Sequence, residues 1–119
     1  MNTAIKIMLM SIALICTFNA NAQSKLEQKA KAESDEIAAA LELDEATSTQ
    51  IYEAILDARK KSRTVHKAHK NNEIDETERK EQMKAIAKAK HDTFKTILSK
   101  KQMNEYWKFK KANKAKSED

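Results

Sequence analysis

Two runs of side chains have the types and spacing to do chemistry, and both are cationic. Tyr52, Leu56, Arg59, Arg63 and Lys67 follow one another at steps of four or three residues, so on a helix they share one stripe that begins apolar and turns basic. Such a surface attracts acidic or unfolded chains by charge and holds them loosely on its apolar part. Arg59 and Arg63 matter here because only Arg79 joins them as arginine in the chain. Lys80, Lys84, Lys88, His91 and Lys95 repeat the basic pattern further along. Acids alternate with these lysines, as in Glu76 with Lys80 and Asp92 with Lys95, and a solvated helix face is the plainer expectation for that second run.

Other reactive combinations are sparse. His66 and His69 are three apart, a spacing that serves Zn²⁺ when carboxylates or a second chain complete the shell. Two exposed histidines among lysines is the simpler outcome, and no metal or cofactor is assigned. Ser62, His66 and Asp57 supply the residue types of a hydrolytic triad. A solvated helix provides no preorganised oxyanion hole, so no catalytic residue is assigned and the chain reads as a non-enzyme.

The elements that position these residues are helices. From Leu26, the positions Ala30, Ile37 and Leu41 predict a first helix ending near Leu43. Asp44 caps a second, with Ile51, Ile55, Ala58, Ser62 and Val65 as its core stripe and an end near Lys70. Asn71 and Asn72 form the loop, since asparagine is the best substitute for glycine in a left-handed cap. Asp75 then opens a third helix with Glu78 three residues on, and Met83, Ile86, Ala87, Lys90, Phe94, Ile97 and Leu98 mark its inner side. The run Leu98-Ser99-Lys100-Lys101-Gln102-Met103 is a complete helix start: Ser99 caps Gln102, Gln102 reaches back, and Leu98 staples onto Met103. Tyr106, Trp107 and Phe109 on the last helix cannot all face one side, so some close the fold and another is left exposed or at a subunit contact.

The first 22 residues stand apart. Lys6, the apolar run from Ile7 to Phe18 and Ala20-Asn21-Ala22 read as a secretory leader cleaved after Ala22. The domain is then residues 23–119, with 110–119 a Lys-rich tail expected to fray. Removing the leader removes Cys16, the only cysteine, and with it any disulfide or thiolate chemistry. The chain is thus expected to be exported, with no stable membrane insertion once the leader is gone.

Composition agrees. The 119 residues contain no glycine and no proline, where average usage gives about eight and six. Glycine-built phosphate loops and tight primed hairpins are thereby excluded. With 34% charged and 5% aromatic residues, any core is thin, and a narrow apolar seam often needs a second subunit to cover it. The isoelectric point near 9.3 raises nucleic acid as a partner. Scarce arginine, interleaved acids and the export leader argue against it.

At its corners the sequence resembles a known family. Leu98-Ser99-Lys100-Lys101-Gln102 is similar to the Leu-Thr-x-x-Gln motif of the Spy/CpxP family of bacterial periplasmic proteins, with Ser99 for Thr. The segment from Leu41 through Leu43, Asp44 and Thr47 looks like a first copy, with Asp44 for Thr and Thr47 where Gln is expected. The resemblance covers essentially the whole of 23–119, including the order of leader, short helix, corner, long helix, charged loop, long helix, corner and aromatic last helix. It implies an all-α fold of four helices in two helical hairpins, assembled as a curved, cradle-like homodimer. It also implies a periplasmic location and ATP-independent chaperone activity on unfolded proteins, for which the stripe of Tyr52, Leu56, Arg59, Arg63 and Lys67, read above from its spacing alone, is the candidate client-binding surface. Other members damp envelope-stress sensor kinases or bind zinc, which are the alternative roles.

Overall fold

The computed structural model describes residues 20–118, with side chains from Lys25 to Lys116. The leader expected over 1–22, including Cys16, lies outside the described residues except for 20–22, which begin the first helix. Four helices follow in order: α1 (Ala20–Leu41), α2 (Glu45–Lys70), α3 (Glu76–Ile97) and α4 (Lys100–Glu118). There is no strand among the described residues, and none of the four helices is long and apolar enough to cross a membrane.

Each junction is made by the side chains that the absence of glycine and proline demands. Asp44 Oδ1 accepts from the Thr47 amide at 2.7 Å, and Asp75 Oδ1 from the Glu78 amide at 2.8 Å. Asn72 takes φ 61°, and the chain closes α2 with Asn72 N–H donating to His69 O and Glu73 N–H to Ala68 O, the two bonds of a Schellman cap. At Ser99 the bonding is reciprocal: Gln102 N–H donates to Ser99 Oγ at 3.1 Å, and Ser99 N–H to Gln102 Oε1 at 2.9 Å. Replacing Ser99 with alanine should therefore lower stability by about 1 kcal/mol, and replacing it with glycine by only a few tenths. Urea denaturation of both variants distinguishes a working cap, which gives that order, from an idle serine, which gives no difference.

One end differs from expectation. The first helix stops at Leu41 rather than near Leu43, because Glu42 turns into the left-handed region at φ 54° and Leu43 N–H donates back to Ala38 O at 3.0 Å. Leu43 is thereby freed from the helix and packs, half-buried, against the core.

The core gathers at the end where both corners meet. Ala30, Ile37 and Leu41 of α1, Ile51 and Ile55 of α2, Phe94 and Leu98 at the end of α3, and Met103 and Tyr106 of α4 form one buried cluster. Ser34 lies fully buried on the same stripe of α1, and its hydroxyl is satisfied by donating to Lys31 O at 2.9 Å. The packing within this hairpin-like arrangement is uneven. Helices α2 and α3 make the long antiparallel pair, α1 lies along α2, and α4 packs more on α1 than on α3. Beyond the cluster only Val65 is buried on the far half of the α2–α3 pair, which projects from the core in a molecule 49 × 41 × 25 Å across. The Lys-rich stretch expected to fray is helical to Glu118, and residues 111–116 are exposed.

Candidate functional site

The stripe along α2 is divided by the fold. Tyr52 and Leu56 are half-buried against the core cluster, Tyr52 beside α1. Arg59 donates through an Nη to Glu33 of α1 at 3.0 Å, so it ties two helices together. Arg63 and Lys67 remain exposed. Five residues that share a helical face in sequence thus become two packing residues, one internal ion pair and two solvated cations.

A different combination forms on the α2–α3 pair. Ile55, Ala58, Arg59 and Ser62 of α2 face Met83, Ile86, Ala87 and Lys90 of α3 around a hollow of about 210 Å³, with Glu33 of α1 at its edge. A second hollow of about 500 Å³ continues along α3, lined by Thr77, Arg79, Lys80, Glu81 and Lys84. Met83 and Ala87 line both, so the two hollows are neighbours on α3 with apolar side chains between them. The cations Arg59, Lys80, Lys84 and Lys90 line one or the other.

Electrostatics make Lys90 the strained member. Burial lowers its proton affinity, with Lys110 adding to the effect, Glu33 opposing it and Arg59 contributing a smaller push downward. No carboxylate pairs with it among the described residues. A half-buried ammonium without a counter-ion gains from an incoming carboxylate more than a solvated one does. The sequence places Lys90 in the apolar row of α3. The signal that reveals the site is Met83 and Ala87 lying between Lys80, Lys84 and Lys90 at three- and four-residue steps, which puts methionine and lysine on adjoining stripes.

The histidines go elsewhere. His66 is exposed, whereas His69 Nε2 lies 3.2 Å from Glu76 Oε2, across the loop that joins α2 to α3. Glu76 also accepts from Arg79, Nε donating at 2.8 Å and Nη2 to the other oxygen, rather than pairing with Lys80 as its spacing suggests. The hydrogen bond from Arg79 holds the Glu76 carboxyl down at about 2. Among the described residues no three histidine, cysteine or acidic side chains lie together in a metal-ligating group.

Aromatic groups cluster around α4. Phe94 meets the fully buried Tyr106 edge-on with centroids 5.1 Å apart, and His91 of α3 meets Trp107 the same way at 4.8 Å. Burial lowers the His91 pKa, and Lys110 and Lys90 lower it further. Its spacing puts His91 on a basic face, yet in the fold it is a half-buried aromatic partner.

Compared with known proteins, the chain matches no family model, no curated protein and no solved structure.

Proposed function

We propose that this chain is an exported, Spy/CpxP-like binding protein that holds unfolded or acidic envelope proteins in the periplasm without nucleotide. The observation that carries the reading is two neighbouring hollows, one between α2 and α3 and one along α3, where Met83, Ile86 and Ala87 lie among Arg59, Lys80, Lys84 and Lys90. Methionine and alanine offer modest apolar contact that adapts to many sequences, and the cations raise the local concentration of acidic segments. Weak contact spread over a shallow surface suits a holder that releases its clients. The same proposal includes a cradle-like homodimer that sets two such faces side by side, which sedimentation equilibrium would read directly.

The test is suppression of aggregation of a chemically denatured client by the purified protein. Suppression is expected near equimolar ratio and is stronger at low salt, because exposed cations are screened beyond about 10 Å at 0.1 M. Lys80→Glu combined with Lys84→Glu should abolish most of the effect; both positions lie at the surface of α3, away from the core cluster, so the fold is spared. Arg59→Glu is a poorer probe, since it would set a second carboxylate against Glu33 and loosen α1 from α2. No suppression at about tenfold excess sinks the proposal. A single co-purifying sensor-domain partner, with general aggregation untouched, would favour the regulatory role instead.

A further inference from the structure

A groove of about 640 Å³ lies between α1 and α4, touching the proposed binding face only at Glu33. Its size falls in the range of small-ligand pockets, about 300–1,000 Å³. Ile37, Tyr106, Trp107 and Phe109 make the wall apolar and aromatic. Trp107 is the large hydrophobic side chain left open among the described residues, at 40% exposure. An open indole beside a second aromatic ring is surface that gains from being covered.

The edges of the groove differ in charge. On the α4 side stand Lys110, with Nζ 5.8 Å from the Tyr106 ring centroid, and Lys111. On the α1 side stand Glu33, which already accepts from Arg59 at 3.0 Å, and Glu36. The neighbouring groups register the positive side: after burial, Lys110 is the next cause that drives protons off both Lys90 and His91. Tyr106 also lines this groove, and its hydroxyl, buried with the rest of the side chain, has no hydrogen-bond partner.

We propose that the α1–α4 groove is a site for a small amphiphilic anion, its apolar body lying on Trp107 and Phe109 and its acid group held by Lys110 and Lys111. This goes beyond the holding activity, uses a different surface, and stands or falls separately from it.

Decanoate, kept below its micelle range and titrated into the full chain, is the probe. Trp107 is the single tryptophan, so its emission reports the groove. A saturable change is expected with decanoate, about tenfold weaker binding with neutral decanol, and weaker binding again with decyltrimethylammonium. Lys110→Gln combined with Lys111→Gln should weaken decanoate by about tenfold and leave decanol unchanged, with helicity by circular dichroism preserved. The inference is overturned by equal binding of the cationic amphiphile, by indifference to the lysine substitutions, or by failure to saturate. An aggregation assay that succeeds while decanoate fails would remove the groove and leave the proposed function standing.

Discussion

Replacing Phe94 with alanine is expected to cost about 3–5 kcal/mol, the range for deleting a fully buried aromatic side chain. Phe94 has no exposed surface and sits in the cluster to which all four helices contribute. Its edge contact with Tyr106 joins α3 to α4, so the lost ring removes burial on both helices and leaves a cavity between them. Domains of this size hold only about 5–15 kcal/mol in total, so the variant should lose most of its margin if the wild type is at the low end. Phe94→Leu, which refills most of the volume, should lose less than about 1.5 kcal/mol. Urea midpoints for both variants provide the check. A loss below about 1 kcal/mol for the alanine variant would show that the helices are held together somewhere else.

The second large effect is an alkaline loss of stability through Tyr106. Burial, and then the nearby Glu33 carboxylate, push its phenol up to about 12. In the unfolded chain a phenol ionises near 10, so between about pH 10 and 12 the unfolded state binds fewer protons than the folded one. The sign follows: the contribution is complete below pH 10 and is lost as pH rises toward 12. At about 1.4 kcal/mol per pH unit, the loss is roughly 3 kcal/mol over that window. Lysines titrate in the same range, so the measure is the difference between the wild type and Tyr106→Phe across pH 9–12. The phenylalanine variant should lack the extra slope. It should also be at least as stable at neutral pH, because it removes a buried hydroxyl that has no partner. Parallel pH profiles for the two proteins would refute both the burial and its consequence.

The caps are legible in the sequence because each is written within one turn. Asp44, Asp75, Ser99 with Gln102, and the Asn71-Asn72 loop all act where their positions predict. Apolar spacing likewise locates Ile37, Leu41, Ile51, Ile55 and Phe94 in the core. Two local details escape it. Glu42 ends α1 in a conformation usually left to glycine or asparagine, and Ser34, rather than an apolar residue, completes the buried row of α1. Nothing in their types announces either, since Glu42 bears a backbone cost and Ser34 hides its hydroxyl against its own helix.

The candidate site is less legible than the fold. The stripe on α2 is correctly periodic, but periodicity says only which residues share a face. It does not say that α1 will lie beside Tyr52, or that Glu33, 26 residues away, will take Arg59. By itself, then, the sequence determined four helices, the capped ends of α2, α3 and α4, and an excess of positive charge on their surfaces, because helix propensity, capping and 3.6-residue spacing are properties of neighbouring residues. Only the tertiary structure decided which cations are tied, as Arg59 is, and which lack a counter-ion, as Lys90 does. It also decided that Trp107 stands open while Tyr106, its neighbour in the chain, is sealed. Those outcomes depend on which helix packs against which face, and that is settled by burial and charge summed over all four helices at once.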